Sequence, residues 1–209
     1  GLYWPRMKPA TVRVWDLPVR LFHWAIVGLL AFSWWSAEEG GMMLRYHLWA
    51  GYTVLTLVFF RLAWGFVGSG TARFAQFLRG PRAVWASAVE LLGPRPLHVA
   101  GHNPLGGWMV LVLLLALLVQ TGTGLFANDD LFNEGPLYKH VGKAASDTLT
   151  AVHHLNFKVL LGLTGLHVLA VIYHRLRKGE RLVGAMIHGR KPIDGAAPVL
   201  LQSWRALPW

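Results

Sequence analysis

The 209-residue chain contains no cysteine. That excludes disulfides, thiolate-held iron–sulfur clusters and the covalent C-x-x-C-H attachment of a c-type haem. Any redox cofactor would need other ligands, and histidine, present ten times, is the evident donor. Charge is scarce as well. Only 14% of residues are charged while 54% are hydrophobic, whereas an average soluble domain carries about 25% charged residues. The chain has no Gly-rich nucleotide fingerprint and no internal repeat. Its opening "GLYWPRMK" lacks the apolar stretch of a cleavable signal, and Gly1–Arg6 reads as a leader ahead of Met7.

What is present is four long apolar runs, at about 17–36, 46–67, 104–126 and 151–174. A membrane span needs about 20 predominantly apolar residues, and four such runs in one chain argue against a soluble domain. In lipid only helices and closed barrels satisfy their own backbone hydrogen bonds, and these runs are too long and continuous for barrel strands. The expected fold is therefore an all-α membrane protein, a four-transmembrane-helix bundle, whose interior is a usual place for a cofactor. One domain is expected over 11–193, followed by a C-terminal tail at 194–209.

The formal net charge of +10 suggests nucleic acid until its distribution is read. Sixteen of the 20 Lys and Arg lie in the stretch up to Arg20, in Arg61–Arg95, or from Arg175 onward. The alternate loops carry Glu38, Glu39, Asp129, Asp130, Glu134 and Asp147, with only Arg45, Lys139 and Lys143. This is the positive-inside pattern. It places both termini in the cytoplasm and makes anionic lipid headgroups, not nucleic acid, the partner of the basic face. The long inner loop 68–103 contains "ARFAQFLRGPRAVWASAVELL", a basic amphipathic stretch expected to lie along the membrane surface. Trp34, Trp35, Trp49, Trp64 and Trp108 fall near span ends, as in an aromatic belt.

The fourth run, "AVHHLNFKVLLGLTGLHVLAVIYH", carries four histidines. A helix turns about 100° and rises about 1.5 Å per residue. The 14 residues from His153 to His167 amount to about 1400°, ~40° short of four turns, so the two share a face about 21 Å apart. His154 lies about 140° away from His167. Two histidines so far apart cannot bind one metal, so each needs a partner at its own depth. His23 lies near the inner end of the first span and His47 at the outer end of the second. Depth matching pairs His23 with His167 and His47 with His153.

Gly51 follows His47 by one turn on the same face, where a glycine admits a flat macrocycle close to the backbone. Gly162 and Gly165 are similar candidates on the fourth span. Arg61 repeats the 14-residue offset from His47 and is expected to face the bundle at the inner level. Arg20 stands one turn before His23. Arginine suits carboxylates such as the propionates of a haem. His98, His102, His140, His174 and His188 fall in loops or at span ends and read as interfacial or solvated, with His174, about 20° short of two turns from His167, the first substitute as a ligand. Asn156 and Lys158 have two readings, a quinone site or propionate partner and side chains that snorkel to the surface, of which snorkelling is favoured.

In this order and spacing, "VWDLPVRLFHW", "HLWAG", "GHNPLGGWMVL", "VHHLNFKVLLGLTGLHVLAVIYH" and "ERLVGAMIHGRKPI" resemble the prokaryotic cytochrome b561 family, over about 11–193. That fold also supplies the di-haem membrane subunits of nickel–iron hydrogenases. The resemblance implies two noncovalent b-type haems with His23, His47, His153 and His167 as axial ligands. It departs from the family at His154, where an acidic residue is frequent. The implied function is electron transfer across a bacterial inner membrane, between quinone and a periplasmic or membrane redox partner. A membrane metal-dependent enzyme would cluster its histidines with carboxylates, and no acidic residue accompanies these. A proton-coupled transporter would show inverted repeats or Pro-broken helix interiors. An optical spectrum separates the three classes.

Overall fold

The computed structural model describes residues 10–93, 103–131 and 133–193. The segment expected to be a leader, His98, His102 and the expected tail 194–209 lie outside the described residues. Four helices are long and apolar enough to cross a membrane: α1 (Leu17–Glu39), α2 (Met43–Val67), α5 (Pro104–Gly124) and α6 (Lys143–Arg177). Between α2 and α5 lie the short α3 (Phe74–Phe77) and the amphipathic α4 (Pro81–Leu92). After α6 come α7 (Leu182–His188) and β2 (Arg190–Ile193), which pairs antiparallel with β1 (Ala10–Arg13). The chain is thus an all-α membrane bundle with one small ribbon that ties its two ends together.

Local chemistry starts and stops these helices. Asp16 caps α1 by accepting the Val19 amide at 2.8 Å, with Pro18 in the first turn. Asn103 caps α5 by accepting the Gly106 amide at 2.6 Å, ahead of Pro104. Both place a side-chain acceptor on an otherwise unpaired N–H and a proline where no N–H is needed. Between α1 and α2 the chain reverses through Gly40 and Gly41, at φ of 64° and 51°, a conformation glycine adopts without steric cost.

The first three spans fall close to the apolar runs. The fourth is longer: α6 begins at Lys143, eight residues before its apolar run, and its 35 residues amount to about 52 Å against a hydrocarbon core of about 30 Å. The extra turns are polar and held at their start. Lys143 pairs with Asp130 and Asp147, and Asn128 donates to Ser146 Oγ at 2.6 Å.

α1 packs along α2, α5 along α6, and α2 against α5, whereas α6 meets α1 and α2 only sparsely. An apolar core joins all four at mid-depth, from Ile26, Val54, Val58, Ala116, Leu117 and Leu160. A second core sits at the ribbon end, from Val14, Trp15, Val19, Ala72 and Ala185. There Asp16 also accepts Trp64 Nε1–H at 2.9 Å and the Ser69 hydroxyl, so one carboxylate binds α1, α2 and the following loop. α4 packs on α5, and its end is pinned to α6, where Tyr173 O–H donates to the Leu91 carbonyl and Lys178 Nζ to that of Glu90.

Candidate functional site

The bundle brings four histidines together in two pairs. At the ribbon end, His23 of α1 faces His167 of α6 with ring centres 6.4 Å apart. At the far end, His47 of α2 faces His153 of α6 at 6.2 Å. The mid-depth apolar core lies between the two levels, which α6 separates by about 21 Å. Among the described residues there is no group of three or more His, Asp or Glu arranged to hold a metal ion. The arrangement is therefore pairwise, with two imidazoles at each level and the sparsely packed space between α6 and the α1–α2 pair around them.

The two pairs differ in what holds them. At the far end, His47 Nδ1–H donates to the Ser33 carbonyl of α1 at 2.8 Å, and His153 Nδ1–H donates to the Gln120 carbonyl of α5 at 2.8 Å. A carbonyl only accepts, so both rings carry their proton on Nδ1 and leave the Nε2 lone pair free for a metal or another donor. Gln120 also reaches the second nitrogen: its side-chain amide lies 3.1 Å from His153 Nε2. Asn156 anchors that amide, donating to Gln120 Oε1 at 2.7 Å and to the Ala116 carbonyl at 2.9 Å. Gly124 lies flat against the ring, since a Cβ there would come within 3.0 Å of His153 Cε1. At the ribbon end, His23 Nδ1 is buried without a hydrogen-bond partner among the described residues.

The remaining candidates fall as follows. Gly51 borders open space, where an added Cβ would meet nothing within 4 Å. Gly162 and Gly165 lie about 120–180° around α6 from His153 and His167, on the side turned away from the pairs. Arg61 is only 2% exposed. Its Nη2 donates to the Ala72 carbonyl at 3.2 Å, its guanidinium lies 5.3 Å over the Phe74 ring, and Nη1 has no partner among the described residues. Arg20 is engaged elsewhere: its Nη1 donates to the Ile187 carbonyl at 2.6 Å, tying α1 to α7.

His154, His140, His188 and Lys158 are exposed. His174 is not the interfacial side chain expected. It is buried and faces Glu180 at 3.4 Å, with Lys191 at 3.3 Å on the same carboxylate. Burial works against the Glu180 charge, but the hydrogen bond from His174 and the charge of Lys191 outweigh it and hold the carboxyl below its ordinary 4.5. Asn156 is likewise bonded inside the bundle instead of snorkelling. The residue that sequence reasoning missed is Gln120, near the end of the apolar third span. Its signal is a lone amide after the run "GWMVLVLLLALLV", and polar side chains inside a span are functional suspects.

No curated protein and no solved structure matches the chain. The family model described as prokaryotic cytochrome b561 matches residues 14–189. With four membrane-crossing helices and histidines paired between them, the chain belongs to the prokaryotic cytochrome b561 family, the b-type haem proteins that carry electrons in membranes.

Proposed function

We propose that this protein is a di-haem cytochrome b of the bacterial inner membrane, with both termini cytoplasmic, passing electrons between quinone and a periplasmic or membrane redox partner. The observation that carries the reading is the spacing of the histidine rings. With a metal–nitrogen distance of about 2 Å and each ring centre ~1.1 Å behind its nitrogen, two imidazoles on opposite sides of one metal ion stand about 6 Å apart, centre to centre. The pairs stand at 6.4 and 6.2 Å. Both levels therefore fit a bis-histidine iron, and the buried, unpartnered nitrogen of His23 and the space beside Gly51 suit a flat macrocycle.

In this reading His23 and His167 hold one haem, and His47 and His153 the other. When bound, each haem would supply a one-electron carrier, and two imidazoles from the chain for each suit electron transfer and not oxygen activation. The protein does the rest. The Ser33 and Gln120 carbonyls fix the far-end imidazoles, the mid-depth core excludes water between the levels, and α6 spans both. Arg61 offers an unpartnered Nη1 to a propionate at the ribbon end, and Arg20 is the second basic group there. The Lys and Arg excess at the ribbon end supports its cytoplasmic placement.

The test is the haem content of the purified full chain. Two haem b per chain are expected, extractable by acid–acetone, with sharp reduced bands in the optical spectrum. One haem per chain, or haem that resists extraction, would refute the reading.

A further inference from the structure

The sequence offers two equivalent histidine pairs, but their surroundings are not equivalent. Both far-end rings donate Nδ1–H to a backbone carbonyl of a neighbouring span, His47 to Ser33 and His153 to Gln120, each at 2.8 Å. At the ribbon end, His23 Nδ1 is buried without a partner and no hydrogen bond joins His167 to the described residues. An Nδ1–H···O=C bond raises the basicity of the ligating nitrogen. A more basic ligand pushes electron density onto the metal and stabilises its oxidised form. Hydrogen bonding and neighbouring charge are two of the means by which a protein sets the potential of such a centre.

We infer that the carbonyls of Ser33 and Gln120 are positioning groups that make the His47–His153 site the lower-potential of the two. With haem bound at both levels, the chain would hold two one-electron carriers at unequal potentials. Asn156 holds the Gln120 side chain beside the His153 ring, donating to Gln120 Oε1 at 2.7 Å. The buried Arg61 guanidinium acts in the same direction from the other end, since a nearby cation favours the reduced form. The third span, without a histidine of its own, thus acts on the far-end site through Gln120. The inference rests on the di-haem reading above.

The experiment is anaerobic potentiometry on the full-chain holoprotein. The far-end haem is identified by the band that His47→Met shifts. The Ser33 carbonyl is then weakened by placing the α-hydroxy analogue of tryptophan at position 34, which turns the 33–34 amide into an ester. The far-end haem is expected to have the lower midpoint, and the ester to raise that midpoint while leaving the other in place. In the reduced, diamagnetic protein the Nδ1 protons of His47 and His153 are expected further downfield than those of His23 and His167. This second readout stands even if the ester chain does not assemble. A lower midpoint at the His23–His167 site, an ester without effect, or the opposite order of proton shifts overturns the inference while the di-haem reading survives. A single haem per chain overturns both.

Discussion

Replacing Arg61 by glutamine removes the buried cation of α2 while keeping an N–H donor for the Ala72 carbonyl that Nη2 now serves. The expected effect follows from where Arg61 sits. It is 14 residues beyond His47 on one continuous helix, hence about 21 Å from the far-end level along the axis. At an effective dielectric constant of about 20, a unit charge at ~21 Å contributes about 0.8 kcal/mol, or about 35 mV for a one-electron couple. At a working distance of ~10 Å, suited to a side chain at the ribbon-end level, the same charge contributes about 1.7 kcal/mol, or about 70 mV.

Reduction adds an electron, and a positive charge nearby favours it. Loss of the charge must therefore lower both midpoints, the ribbon-end one about twice as far. Anaerobic potentiometry of Arg61→Gln against the parent reads both shifts, and haem content is expected to stay at two per chain. Two unchanged midpoints with full haem content would leave Arg61 as a marker of the membrane boundary. A larger shift at the far-end haem would mean that the levels are assigned the wrong way round.

Three further outcomes are expected. His153→Ala is expected to lose the far-end haem and His154→Ala to keep both, because only His153 faces His47. A pyridine haemochrome count of one for His153→Ala and two for His154→Ala meets this, and the reverse contradicts it. Asp16→Ala is expected to lower stability by about 3 kcal/mol, combining a cap of about 1 kcal/mol with the lost bonds to a charged acceptor; Asp16→Asn keeps an acceptor oxygen and should lose less in the same thermal unfolding assay. Glu180, whose carboxyl is held below 4.5 in the folded chain, contributes stability that is complete above that value and disappears as pH falls through the folded-state pKa. Glu180→Gln is therefore expected to cost about 1 kcal/mol at pH 7 and to flatten the acid limb of the stability profile, so an equally steep acid limb in the variant would refute the role.

The spans could be read from the sequence because lipid sets two demands at once, about 20 residues and an unbroken apolar character. The histidine pairs could be read because one helix fixes both the phase and the depth of His153 and His167, and the order of spans fixes which end offers His23 and which His47. Other features leave no such trace. The β1–β2 ribbon joins two four-residue segments from opposite ends of the chain, and neither carries a local strand signal strong enough to stand alone. The first turns of α6 are polar and look like loop until Lys143, Ser146 and Asp147 find partners around Asn128 and Asp130. His174 looks interfacial until the chain turns back and sets Glu180 and Lys191 against it.

The unequal setting of the two histidine pairs is the least visible of all. It depends on backbone carbonyls, and every residue has one, so no residue type announces that Ser33 or Gln120 will serve. Which carbonyl faces an imidazole is decided by the rotation of α1 against α2 and of α5 against α6, and the periodicity of a single helix does not contain that angle. The sequence thus sets out two histidine pairs and treats them alike. The unequal hydrogen bonding of the two, on which the proposed difference in potential rests, arises only when the helices pack.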